Sequence, residues 1–162
     1  MLERREETAL QVLDILARCT RIRTIGVDAI GAVHRFRGAA TSTRDRLDRL
    51  IVEETGCTLL HTGRKLASSN VYRWSSDPDR ASLRLEHLRF GVDRPVELVE
   101  MFPGSSRHAR ALSFASREPH MCGPDRYHAL LAIRSSLVVL AWRIETPANQ
   151  ARIRSIYAPV PS

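Results

Sequence analysis

The sequence predicts an antiparallel all-β domain, a barrel of about eight or nine strands behind one N-terminal helix. Three observations carry that reading. Short segments of alternating polar and apolar residues recur at spacings of roughly 8–15 residues between about 31 and 157. Helical inserts of βαβ length are missing between them. Polar and charged residues recur on strand faces otherwise set by leucine, which suits a closed sheet with a partly polar interior. A sheet of this many strands either closes or splits into a sandwich, and periodicity does not choose between the two.

Residues 4–19, RREETALQVLDILARC, form the helix: Leu10, Leu13 and Leu16, with Val12, Ile15 and Cys19 beside them, make a wide apolar face. Beyond Thr20 come isolated glycines and short apolar pieces, and then a strand at 31–40. RLDRLIVEETG alternates, and it puts Glu53 and Glu54 on opposite faces. NVYRW centres a strand on residues 71–74, which ends at a polar turn with Pro78. SLRLEHLRF puts Leu83, Leu85, His87 and Arg89 on one side. PVELVEMFPG, ALSFAS, RYHALLAIR, LVVLAWRIE and QARIRSIYAP complete the set, with a turn at RSS. Composition never shifts into a linker, so residues 1–162 read as one domain.

A hydrophobic fraction of 43% against 27% charged residues excludes a disordered chain. The longest apolar run, SSLVVLAW, is too short to span a bilayer, and no secretory signal stands at the N-terminus. Three widely spaced cysteines argue against a disulfide framework and fit a reducing compartment, so the expected location is cytoplasmic. The net charge of +7 comes from arginine, since lysine occurs once, at Lys65. It favours an anionic or carboxylate-bearing small molecule. No aromatic-plus-basic or zinc-finger signature accompanies it, so nucleic acid is an alternative partner without a motif of its own. The helix would cover sheet edges within the chain or across a homodimer.

The densest chemistry is PHMCGPDRYHAL, residues 119–130. A structural zinc site needs about four nitrogen or sulfur ligands, commonly in paired spacing. His120 and Cys122 have no second pair to complete them, so no metal and no cofactor is expected. A cysteine nucleophile would need a thiolate beside a base, which one intervening residue does not provide. The segment reads instead as a GPD turn opening a strand at Tyr127, with His120 directed to the barrel mouth.

FRGAA (Phe36–Ala40), the Glu53-Glu54-x-Gly56 strand end, NVYRW, the spaced set His120, Cys122, Asp125 and Tyr127, and WRIETPANQ occur in this order. In that order the chain resembles a family of small uncharacterised bacterial and fungal proteins, DUF6314, over residues 34–157. The resemblance implies a lipocalin-like (calycin) barrel and no settled activity. The chain departs from the family pattern at Asn70, where arginine is usual, at Thr146 for glycine and at Asn149 for lysine. If those basic residues hold an anion in the family, this member binds differently.

The expected function is binding of a small molecule, anionic or amphipathic, in a barrel pocket. The candidate ligand-binding residues are His87, Arg89, His120, Cys122, Tyr127, Tyr72, Trp74 and Arg143. An enzyme using His120 as the acid–base group, oriented by Tyr127 or Asp125, is the alternative. Glu53 and Glu54 face apart and make a poor general-acid pair.

Overall fold

A computed structural model describes residues 2–104 and 112–160, with side chains from residue 8 onward. One helix, α1 (Leu2–Ala17), precedes eleven strands. These are β1 (Arg21–Val27), β2 (Val33–Arg44), β3 (Leu50–Leu59), β4 (Lys65–Asp77), β5 (Ser82–His87) and β6 (Val96–Pro103). They continue with β7 (Ser113–Ser116), β8 (His120–Cys122), β9 (Asp125–Arg134), β10 (Leu137–Glu145) and β11 (Gln150–Ala158).

Every pairing is antiparallel. Consecutive strands pair from β1 to β7, β7 meets β9, and β9, β10 and β11 lead back to β1. The circuit closes, so the choice between barrel and sandwich falls to the barrel. β7 and β8 lie along the same side of β9, on its later and earlier halves, like one interrupted strand. β6 meets β7 over Met101–Pro103, and among the described residues its first half has no neighbour on that side. Among those residues, the wall between it and β8 is open.

The nine strands read from the alternation are all present, and β1 and β8 are additional. β1 escaped because its period is blurred. Thr24 points inward and bonds Ser155 across the ladder at 2.8 Å, while Ile25 points outward and is 51% exposed. That reverses the usual sense of the alternation. The expected strand through Arg89 ends instead at His87, before a turn.

α1 closes one end. Ala9, Val12, Leu13 and Leu16, at helical spacing, are buried against Leu50, Trp74, Leu83 and Val138 from the strand ends there. Leu10, expected on the apolar face, is 40% exposed at its margin. Cys19 and Thr20 hand the chain from helix to sheet: Thr20 N–H donates to Ala158 O, and Ala40 N–H to Thr20 O. The core therefore fills the helix end of the barrel, and the far end is left to the site.

The glycines of FRGAA and EETG have a steric reason. Gly38 and Gly56 face each other across β2 and β3. A Cβ at Gly56 would stand 2.2 Å from Arg37 O, and one at Gly38 would stand 2.2 Å from Thr55 O and 2.7 Å from the Phe36 ring. The backbones close up there, and the Phe36 ring fills the space a side chain would have taken. Gly56→Ala is expected to destabilise the barrel by about 2 kcal/mol, read as a lower denaturation midpoint with an unchanged slope.

Candidate functional site

The inward-facing residues of the open half enclose a cavity of about 730 Å³. Its floor is polar. Glu54 on β3 is only 4% exposed and accepts a 2.5 Å hydrogen bond from the Tyr157 hydroxyl on β11. Tyr72 and Asn70 of β4 border it, and Asn70 stands directly across the ladder from Glu54. Burial raises the Glu54 pKa, while hydrogen bonds from Tyr157 and Asn70 pull it back. The Tyr157 hydroxyl is pushed well up, by burial and then by the neighbouring carboxylate, and so stays a donor. Phe36, Trp74, Leu85, Leu140 and Trp142 supply apolar walls. Thr58 and Ser68 bond each other at 2.7 Å. A recess of about 360 Å³ adjoins along β1 and β2 and shares Thr24, Phe36, Thr58 and Ile153.

Glu54 carries a clear pH signature. The folded protein holds its proton more tightly than the unfolded chain does. Stability therefore falls as pH rises from the ordinary glutamate range toward the raised folded value, and stays reduced above it. In Glu54→Gln the amide oxygen still accepts from Tyr157. The expected result is a flatter stability–pH curve across that window, measured by denaturant titration at a series of pH values.

Of the residues picked out in the sequence, Tyr72, Trp74, His120, Cys122 and Tyr127 line the cavity together. His120 and Cys122 stand on the β8 side of the open seam, and Leu98 on the β6 side. The GPD turn forms as expected, with Gly123 at φ 60° and Cys122 paired with Asp125. The His120 and Tyr127 rings meet edge-on at 6.2 Å between centroids. Burial, then the neighbouring Cys122 and Asp125, raise the Tyr127 pKa.

The other three candidates lie apart from the lining. His87 stands directly across the ladder from Tyr72 and stacks on its ring at 5.0 Å between centroids, and burial, then nearby Arg89, lowers its pKa. Arg89 sits in the turn after β5 with its guanidinium over the Phe90 ring. Arg143 is outward on β10, because Trp142 and Ile144 take the inward positions, and it pairs with Glu145 at 3.2 Å. Among the described residues no Lys or Arg lines this cavity, and Arg35 and Arg152 border the adjoining recess. The residue that sequence reasoning passed over is Glu54. Its inward phase was visible in the alternation, but only the closed barrel brings Tyr157 from 103 positions away.

Among the described residues, no group of three or more His, Cys, Asp or Glu is assembled to hold a metal ion. No helix among them is long and apolar enough to cross a membrane.

The model of a family of unknown function, DUF6314, matches residues 16–159. The chain belongs to this family. No curated protein matches it. Among solved structures it is similar to an S-type phycobiliprotein lyase, CPES, from Guillardia theta, with a TM-score of 0.62 and 8% identity over 94% of this chain and 93% of that one. At that identity the likeness speaks for architecture alone, and the DUF6314 chain is a lipocalin-like antiparallel barrel. Of the three positions read in the sequence as departures from the family resemblance, Asn70 falls in the cavity. Thr146 and Asn149 instead tie the β10–β11 turn to itself, the Thr146 hydroxyl donating to Asn149 O at 2.9 Å.

Proposed function

We propose that this DUF6314 protein binds an amphipathic small molecule in the barrel, and that the ligand's polar end carries N–H groups or a cationic nitrogen. The cavity volume falls in the range of pockets that enclose drug-sized ligands. The observation that carries the polar assignment is Glu54, a buried carboxyl at the cavity floor with no cationic side chain among the described lining residues. An apolar residue would fill that position at less cost to folding. A carboxyl there is best explained by something it contacts in the bound state. Tyr157 and Asn70 engage the carboxyl, and its two oxygens retain acceptor capacity for a donor from the ligand. The aromatic walls from Phe36, Trp74 and Trp142 suit a flat or extended apolar body. Of the two expected ligand classes, anionic and amphipathic, the buried carboxyl favours the second.

Matched amine and carboxylate pairs test the proposal: tryptamine with indole-3-acetate, and dodecylamine with dodecanoate, read by thermal shift and native mass spectrometry. A ligand at a hundredfold its Kd adds about 2.7 kcal/mol to stability, a melting shift of several degrees. The amines are expected to bind and the carboxylates not, and Glu54→Gln is expected to erase that preference. Failure of both amines, or carboxylates binding equally well, overturns it.

A further inference from the structure

The outer wall of the barrel is electrically divided. On the side built by β3 to β6, three ion pairs tie arginines to glutamates. Arg73 bonds Glu86 at 2.7 Å, Arg80 reaches Glu100 at 2.6 Å, and Arg84 lies 3.4 Å from Glu97. The side built by β9, β10, β11, β1 and β2 is different. Arg21 and Arg23 on β1, Arg35 and Arg37 on β2, and Arg152 and Arg154 on β11 are all exposed. Arg126, Arg134 and Arg143 extend the same wall on β9 and β10. The acids on these five strands are Asp125, in the β8–β9 turn, and Glu145, which Arg143 and His128 share.

Ladder registration sharpens the contrast. Arg23 stands directly opposite Arg37, and Arg143 directly opposite Arg152. Like charges at directly opposed positions weaken a sheet. An arginine-rich composition accounts for the number of arginines. It does not account for acids being segregated from one wall and distributed among the arginines of the other. Arg143 has Glu145 beside it, whereas among the described residues no ion pair offsets Arg23 facing Arg37, and where a local rule is broken without a compensating contact, a binding role is a physical reason for it.

We propose that this wall is a docking surface for an acidic protein. Charge complementarity sets the sign of the partner, and two features set its class. First, the wall carries apolar groups among the arginines. Ile25 is 51% exposed, and its ladder neighbours are Arg35 on one side and Arg154 on the other. Leu130 is 50% exposed two strands beyond Arg154, across Ala141. Arginine side chains are longer than isoleucine, so Ile25 is the recessed floor of a charged ring. A protruding apolar side chain flanked by carboxylates fits it, as in the apolar centre and polar rim of a protein interface. A smooth bilayer surface does not reach the floor. Second, the Phe, Tyr and Trp residues of these five strands, Phe36, Tyr127, Trp142 and Tyr157, all line the cavity, so single-stranded bases find no stacking platform outside. Five strands span about 19 Å across the wall, the scale of a standard interface patch. Arginine's planar fork pairs bidentately with carboxylates, which lysine does not.

The test uses fluorescence anisotropy with the full chain and a labelled acidic peptide in which single leucines are spaced by pairs of glutamates. Three comparators are a leucine-to-serine version of the peptide, a 20-base-pair DNA duplex, and vesicles containing phosphatidylserine. The expected result is peptide binding that weakens about tenfold or more between low and physiological salt. It should weaken as much in the triple variant Arg23→Glu, Arg35→Glu, Arg154→Glu, and severalfold in Ile25→Ser or with the serine peptide. Arg37→Glu alone is a folding control: it puts an opposite charge across from Arg23, so its melting temperature should not fall. No peptide binding, indifference to the triple variant in a folded barrel, or tighter binding of the duplex or the vesicles than of the peptide overturns the proposal.

Discussion

Trp74→Ala is expected to destabilise the barrel by about 3–5 kcal/mol, a fall in Tm on the order of 10 °C for a chain of this size. Trp74 is fully buried where the helix-end core meets the cavity, with Leu50 opposite it on β3 and Leu85 opposite on β5. Truncation removes the largest side chain of that junction. The space it leaves is continuous with the existing cavity, so water can enter, which holds the cost toward the lower end of the range. The indole N–H has no hydrogen-bond partner in the structure. An unsatisfied buried donor itself costs roughly 1–3 kcal/mol. Trp74→Phe discards that donor while keeping most of the ring, and it should cost about 1 kcal/mol or less. Thermal and urea unfolding of both variants check the pair. If phenylalanine cost as much as alanine, the indole N–H would be making a bond of its own, and the cavity wall would be polar at that point.

How much of this was readable in the chain depends on whether the information was local. The strands with clean alternation, such as residues 126–134 and 137–145, were legible because one face is buried and the other wet. The turns at GPD and RSS were legible from their residues; Gly123 and Ser135 both take positive φ. Closure of the barrel was not, because the pairing of β1 with β11 and of β7 with β9 is a tertiary matter that alternation does not encode. The site divides in the same way. Tyr72 and Trp74 share a face by period, and the structure keeps them together in the cavity. Arg89 was assigned to the pocket by extending the β5 period through residues where the chain has already turned. Arg143 was assigned without knowing which face of β10 is inside, a choice that its neighbour Trp142 settles only once the barrel is closed. Glu54 and Tyr157 illustrate the limit best, because neither is unusual alone and their bond is the most distinctive feature of the floor.

Arg73→Met should cost about 3–5 kcal/mol, although Arg73 lies on the outer face of β4, where a substitution would ordinarily be mild. Its side chain is 7% exposed and Glu86 is 13% exposed. The guanidinium donates Nε to one carboxylate oxygen at 2.7 Å and Nη2 to the other at 3.0 Å. Nη1 reaches Val92 O at 3.4 Å, tying down the turn between β5 and β6. Removing the arginine leaves Glu86 desolvated and placed across the ladder from Glu97, so a like-charge contact replaces a bidentate bond. The double variant Arg73→Met, Glu86→Leu removes both charges and the desolvation of each. Its stability should return to within about 1 kcal/mol of the parent. A double-mutant cycle by urea denaturation measures the difference as a coupling energy. If the two single losses simply add, the pair is a solvated surface contact and the turn is held by something else. If the double variant recovers, the pair's role is to fix where the turn sits beside the open seam, at little net gain in stability.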